Sequence, residues 1–215
     1  PMARIEEAAR RLSPKVIAAV HGDTSTTMAQ PLAGLGALGR EVGALSYVDA
    51  TATLGGMAIE ADAWGADIVT GGLQKCMGGP PGSAPITISD RAAEAILARR
   101  HVERGIRRED IPDGGGARIG SNYFDLAMVM DYWSEKRLNH HTEATSMLYA
   151  ARECARVALG EGLETRFARH AAASGLATYS HNSISRSRSA PHSARSPAGS
   201  GASARWVTMR GCTRC

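Results

Sequence analysis

The chain has 215 residues, 43% of them hydrophobic, which suits one or two globular domains. Its net charge of +4 does not describe the folded part. No acidic residue follows Glu164, whereas eight arginines do (Arg166, Arg169, Arg186, Arg188, Arg195, Arg205, Arg210, Arg214), leaving 17 of the 25 basic residues against all 21 acidic ones before that point, a net of −4. That balance argues against a nucleic-acid surface. Four scattered cysteines (Cys76, Cys154, Cys212, Cys215) exclude a disulfide scaffold, and no apolar run approaches the ~20 residues that span a bilayer.

Taken in chain order, residues 3–12 read as a short amphipathic helix stopped by Ser13-Pro14. Val16 to Val20 is an apolar, partly β-branched run and reads as a buried strand. His21 to Thr26 is a polar loop. Thr27 and Gln30 have capping-box spacing, which predicts a helix from there, with Pro31 in its first turn, to about Arg40. Further strands are expected at 44–48, 67–70 and 85–88, with Ser89 capping a helix to about Arg99. Residues 101–118 are charged and Gly-rich and read as a loop. Helices are expected at 121–133, from Thr142 to about Leu159, and on to about Ala173. Strands alternating with helices imply α/β layering on a mainly parallel sheet.

The pattern fails beyond about Ala177. Residues 183–203 alternate Ser, Arg, Ala, Pro and Gly, a composition that predicts disorder. The break suggests a frameshifted or artificial end, with a natural basic linker or RNA-binding tail as the competing reading. Cys212 and Cys215 form a C-x-x-C with no second pair, so no metal or redox role is assigned. The start, Pro1 to Arg4, lacks a charged-then-apolar signal pattern, and a cytoplasmic location is the default expectation.

Four segments converge on the carboxyl ends of the expected strands, where ligands of such sheets bind. Asp49 closes the second strand, and Lys75 ends Gly71-Gly72-Leu73-Gln74-Lys75 just past the third. An acid and a lysine so placed suit pyridoxal phosphate: the lysine forms a Schiff base with the aldehyde, and the acid pairs with the pyridinium nitrogen. His21 to Thr27 offers hydroxyls and N–H groups to a phenolic or phosphate oxygen, the alternative being that they cap a helix. Asn139-His140-His141-Thr142 precedes a helix. Its adjacent histidines should diverge, and no metal site is expected.

These segments resemble the class V aminotransferases of pyridoxal-phosphate fold type I, nearest to the alanine–, serine– and ureidoglycine–glyoxylate group. The matching stretches are His21 to Pro31, Tyr47 to Gly56, Gly71 to Lys75, Gly82 to Ile86 and Asn139 to Thr142, with coverage from residue 1 to about 175. The resemblance implies an α/β/α three-layer fold, an incomplete large domain over 1–162, the start of a small domain at 163–177, and a non-matching tail at 178–215. It implies Lys75 as the Schiff-base lysine and Asp49 as the partner of the pyridine nitrogen. Thr24 would bond the cofactor's 3′-oxygen, Thr51 would cover its ring face, and Gln74 would contact its phosphate. Thr142 would reach the phosphate of a neighbouring subunit, which implies a homodimer with shared sites.

Asn139 stands where alanine–glyoxylate enzymes carry a tyrosine and would bind a ureido group. The implied activity is transfer of an amino group from (S)-ureidoglycine, in purine breakdown, to glyoxylate. Alanine or serine as donor, and a catalytically inactive truncated chain, are the alternatives. A desulfurase on the same fold would need a mobile catalytic cysteine, and none of the four sits in a matching loop. Leu73 stands where the family carries a small residue and is expected to crowd the phosphate side. The family's Gly-rich phosphate turn, its stacking aromatic and its carboxylate-binding arginine have no counterpart here.

Overall fold

The computed structural model describes residues 2–100, 121, 123–135 and 137–185, the last eleven by their backbone. The elements in chain order are α1 (Met2–Leu12), β1 (Val16–Val20), β2 (Gly22–Asp23), β3 (Met28–Ala29), α2 (Leu35–Val42), β4 (Leu45–Asp49), α3 (Ala61–Trp64), β5 (Ile68–Thr70), β6 (Ile86–Ile88), α4 (Asp90–Leu97), α5 (Leu126–Tyr132), α6 (Thr145–Glu161) and α7 (Leu163–Ser185). The main sheet has the order β1-β4-β5-β6. Its first two pairings are parallel, while β5 and β6 run antiparallel.

Side-chain alternation along the strands builds three layers. Ile17, Val48 and Val69 project to one face, where they bury against Ala9 of α1 and Leu35 and Leu38 of α2. Leu45 and Ile68 project to the other, where they meet Ile86, Ile88 and the α4 and α5 residues Ala92, Ala93, Leu126 and Met130. Leu35 and Val48 are fully enclosed, and each such side chain contributes about 1.5–3 kcal/mol.

At the amino end of β5 a buried carboxylate pins the sheet together. Asp67 accepts from the Ser46 N–H (2.8 Å), the Ser46 hydroxyl (3.1 Å), the Ser89 hydroxyl (3.0 Å) and the Arg91 guanidinium (2.8 Å). Arg91 also donates to the Ala44 carbonyl at 2.7 Å. One acid thereby joins β4, β5 and the start of α4. Ser89 caps α4 as its sequence implies, accepting from the Ala92 N–H.

The helix expected from Thr27 does not form. Asp23 accepts from the Ser25 N–H and the Thr26 hydroxyl, which folds 23–28 into a turn with Thr27 at φ 56°, and Met28–Ala29 pairs back on Gly22–Asp23. Local side-chain-to-backbone bonds outcompete the capping box here, and α2 begins only at Leu35. Helix α5 starts at Leu126, because Asp125 caps it through the Ala127 N–H. Helix α7 runs to Ser185, past the expected end near Ala173 and into the first residues of the expected tail. The expected loop at 101–118 and the remainder of that tail lie outside the described residues.

Candidate active site

The site is built from the segments that follow β1, β4 and β5. Parallel register sets their common level: Val20 pairs with Asp49, and Asp49 with Thr70. The His21 N–H donates to the Asp49 carbonyl (2.9 Å), and the Ala50 N–H to the Thr70 carbonyl (2.8 Å), so all three strands end together. Tyr47 and Thr70, on adjacent strands, share a hydroxyl–hydroxyl bond of 2.9 Å just inside the edge.

Asp49 is half-buried, and its Oδ1 accepts from the Thr51 N–H at 2.8 Å, which fixes the carboxylate at the strand end. Lys75 and Gln74 are exposed in the turn after β5. The segments 50–57 and 71–79 interlock. A Cβ on Gly72 would stand 2.9 Å from Thr51 Cγ2 and 2.8 Å from Gln74 Oε1, so both side chains close over that glycine. Leu54 fills the space beside Gly71, and Met77 the space beside Gly55. The Cys76 thiol donates to the Ala52 carbonyl at 3.1 Å. These contacts bring the Asp49 and Lys75 segments to one sheet edge.

The turn carrying Lys75 is tied by its own backbone. The Gly78 N–H donates to the Lys75 carbonyl (2.9 Å), and the Gly79 N–H to the Leu73 carbonyl (2.7 Å). Leu73 is 2% exposed. Its side chain is therefore enclosed by protein.

Thr24 is exposed in the β2–β3 turn beside this edge. Asn139 and Thr142 are exposed in the connection between α5 and α6, and no hydrogen bond or ring contact joins them to Asp49 or Lys75. The neighbouring histidines do not diverge as expected: their Nδ1 atoms lie 2.7 Å apart, and His141 Nε2 lies 2.9 Å from Glu143 Oε1. Among the described residues no group of His, Cys, Asp and Glu is arranged to hold a metal.

Two residues without an assigned role in the sequence prove central. His21 is 5% exposed, packs its ring 5.1 Å from that of Trp64 and shares a 2.8 Å bond from Nδ1 to the Thr53 hydroxyl. Burial pushes its imidazole below the ordinary value. Arg166, 6% exposed, reaches from α7 into the interlocked segments. The apolar run before His21 hints at the first; nothing in the sequence signals the second.

The class-V aminotransferase family model matches residues 2–108. The (S)-ureidoglycine–glyoxylate transaminase of Bacillus subtilis (strain 168) is 52% identical over 163 residues, covering 75% of this chain and 39% of that protein. The alanine–glyoxylate aminotransferase of Oryctolagus cuniculus is 31% identical over 169 residues, covering 77% and 39%. Among solved structures, the Bacillus subtilis ureidoglycine–glyoxylate aminotransferase superposes with a TM-score of 0.67 at 48% identity, over 78% of this chain and 39% of that one. Alanine–glyoxylate aminotransferase from Nostoc sp. gives 0.66 at 36% identity, over 79% and 41%. The chain spans about two fifths of these relatives' length, and its fold is an incomplete version of the fold type I large domain. With this sheet, this edge and these likenesses, the chain belongs to the class-V aminotransferases.

Proposed function

We propose that the chain serves a pyridoxal-phosphate-dependent aminotransferase that moves an amino group from a small amino-acid donor, (S)-ureidoglycine, to glyoxylate. One observation supports the reading: segments 50–57 and 71–79, which follow Asp49 and contain Lys75, interlock at one sheet edge, in a chain 52% identical to a transaminase of that name. The residues present fit the cofactor by their donor chemistry. They supply a carboxylate for a ring nitrogen, an amine for an aldehyde, hydroxyls at Thr24 and Thr51 and an amide at Gln74.

Pyridoxal phosphate, when bound, supplies an aldehyde for amines and a ring that accepts electron density from the substrate Cα. The Asp49 carboxylate would hold the proton on the ring nitrogen. The Lys75 amine would hold the aldehyde carbon at rest and, once displaced by the donor amine, would carry the proton to and from the substrate Cα. Thr51 would cover the ring face, while Thr24 and Gln74 would orient the 3′-oxygen and the phosphate. The donor leaves as its oxo acid, and glyoxylate takes up the amine to give glycine.

Thr142 is read as reaching the phosphate of a neighbouring subunit in a homodimer, and the Asn139 amide as binding the donor's ureido group. Both side chains are exposed in the connection between α5 and α6, open to such partners. The setting would be purine breakdown. Among the described residues no helix is long and apolar enough to cross a membrane.

The test supplies pyridoxal phosphate and glyoxylate with (S)-ureidoglycine, alanine or serine and measures glycine. The reading expects a Lys75-dependent cofactor absorbance and fastest glycine formation with (S)-ureidoglycine. Faster turnover of alanine or serine would reassign the donor. Absorbance without glycine would leave a cofactor-binding chain that lacks the rest of its machinery. Absorbance unchanged in Lys75→Ala would refute the assignment.

A further inference from the structure

Arg166 sits near the start of α7, far along the chain from the site, yet two of its guanidinium nitrogens bond to the segments that build it. Its Nε donates to the Gly55 carbonyl at 2.8 Å, and a second guanidinium nitrogen donates to the Cys76 carbonyl at 2.7 Å. The third pairs with Glu161 at 2.7 Å. Gly55 lies in the segment that follows Asp49, and its φ of +81° aims that carbonyl where few other residues could. Cys76 directly follows Lys75. A single planar fork therefore bridges the Asp49 segment to the Lys75 segment. Its geometry matches two carbonyls and a carboxylate better than a lysine ammonium could.

The side chain is 7% exposed, and all three nitrogens are engaged. Three of its five N–H donors, one on each nitrogen, are committed to protein acceptors. The surroundings hold it in place. Arg169 also binds Glu161 (2.6 Å), and the two arginines, Arg169 foremost, hold that carboxyl at about 2, so it stays ionised opposite Arg166. His170, on the same helix, lies against Gly56.

We propose that Arg166 is a positioning residue: its grip on the Cys76 and Gly55 carbonyls sets the direction from which the Lys75 side chain leaves the sheet edge and locks that turn to the Asp49 segment. The inference rests on the proposed cofactor chemistry at Lys75. It extends the site to α7, which becomes part of the frame that aims the lysine.

The test compares Arg166→Met, Arg166→Lys and Glu161→Gln with the wild type. Amide hydrogen exchange at 53–57 and 72–79 is read without cofactor. Attachment of pyridoxal phosphate to Lys75 is read across pH by borohydride trapping. Arg166→Met is expected to speed exchange in both segments, leave the α4 amides unchanged, weaken attachment roughly tenfold and shift its pH profile, as loss of charge-assisted bonds implies. Arg166→Lys should restore part of the attachment. Glu161→Gln, which keeps the guanidinium, should lie between and serves if Arg166→Met does not fold. A lower melting temperature in Arg166→Met or Glu161→Gln with attachment and pH profile unchanged would mean a purely structural role and overturn the proposal. If the wild type itself traps nothing at Lys75, the cofactor reading fails, and wild-type exchange at 72–79 in Arg166→Met or Glu161→Gln would overturn the positioning claim separately.

Discussion

Replacing Asp67 with alanine tests how the sheet is held. Asp67 is 2% exposed and accepts four hydrogen bonds that join β4, β5 and α4. Removing one member of a buried ion pair costs about 3–5 kcal/mol, because the other charge stays behind. Arg91 retains 35% exposure and can rehydrate, which places the loss at the lower end, about 3 kcal/mol. At about 2–4 °C per kcal/mol for a chain of this size, the melting temperature should fall by about 6–12 °C. Calorimetry of the wild type and Asp67→Ala reads this directly. Asp67 lies at the amino end of β5, across the sheet from Lys75, so trapping of pyridoxal phosphate at Lys75 below the transition should not change. A shift under about 2 °C would refute the claim that this carboxylate pins the strands.

Other perturbations act nearer the site. The His21 imidazole is held below its ordinary value, so the unfolded chain binds the proton more readily; its contribution to stability is full above about 6.5 and declines as pH falls below that. Urea titrations from neutral to mildly acidic pH should show that decline, and His21→Gln should flatten it. Gly36→Ala would set a Cβ 2.1 Å from the Gly65 carbonyl oxygen, forcing α2 off the α3 turn. A loss of about 1–3 kcal/mol in chemical denaturation is expected despite alanine's better helix propensity. Gly72→Ala would press on Thr51 and Gln74; affinity for pyridoxal phosphate, measured by fluorescence titration, should fall while the fold survives.

Much of the layering was legible because the strands are short apolar runs bounded by polar residues. The Ser89 cap lies where capping chemistry puts it, and Val16 to Val20 forms the strand its apolar run implies, but as an edge strand with only Ile17 buried rather than the buried strand expected. Thr27 to Gln30 misled because hydroxyl-rich segments satisfy helix caps and turns with the same atoms, and Asp23 decides between them through two bonds that spacing alone does not rank. Asp49 and Lys75 stood out because strand ends concentrate chemistry. Arg166 did not, since its site partners are backbone carbonyls 90 and 111 residues away, which leave no mark on side-chain identity.

The most direct measurement exploits how few lysines the chain has: Lys15, Lys75 and Lys136. Treatment with pyridoxal phosphate, borohydride reduction and peptide mass mapping should place one adduct at Lys75, and Asp49→Asn should weaken its formation. An adduct spread evenly over the three lysines, or formed equally well without the Asp49 carboxylate, would contradict the shared-ring geometry on which the account stands.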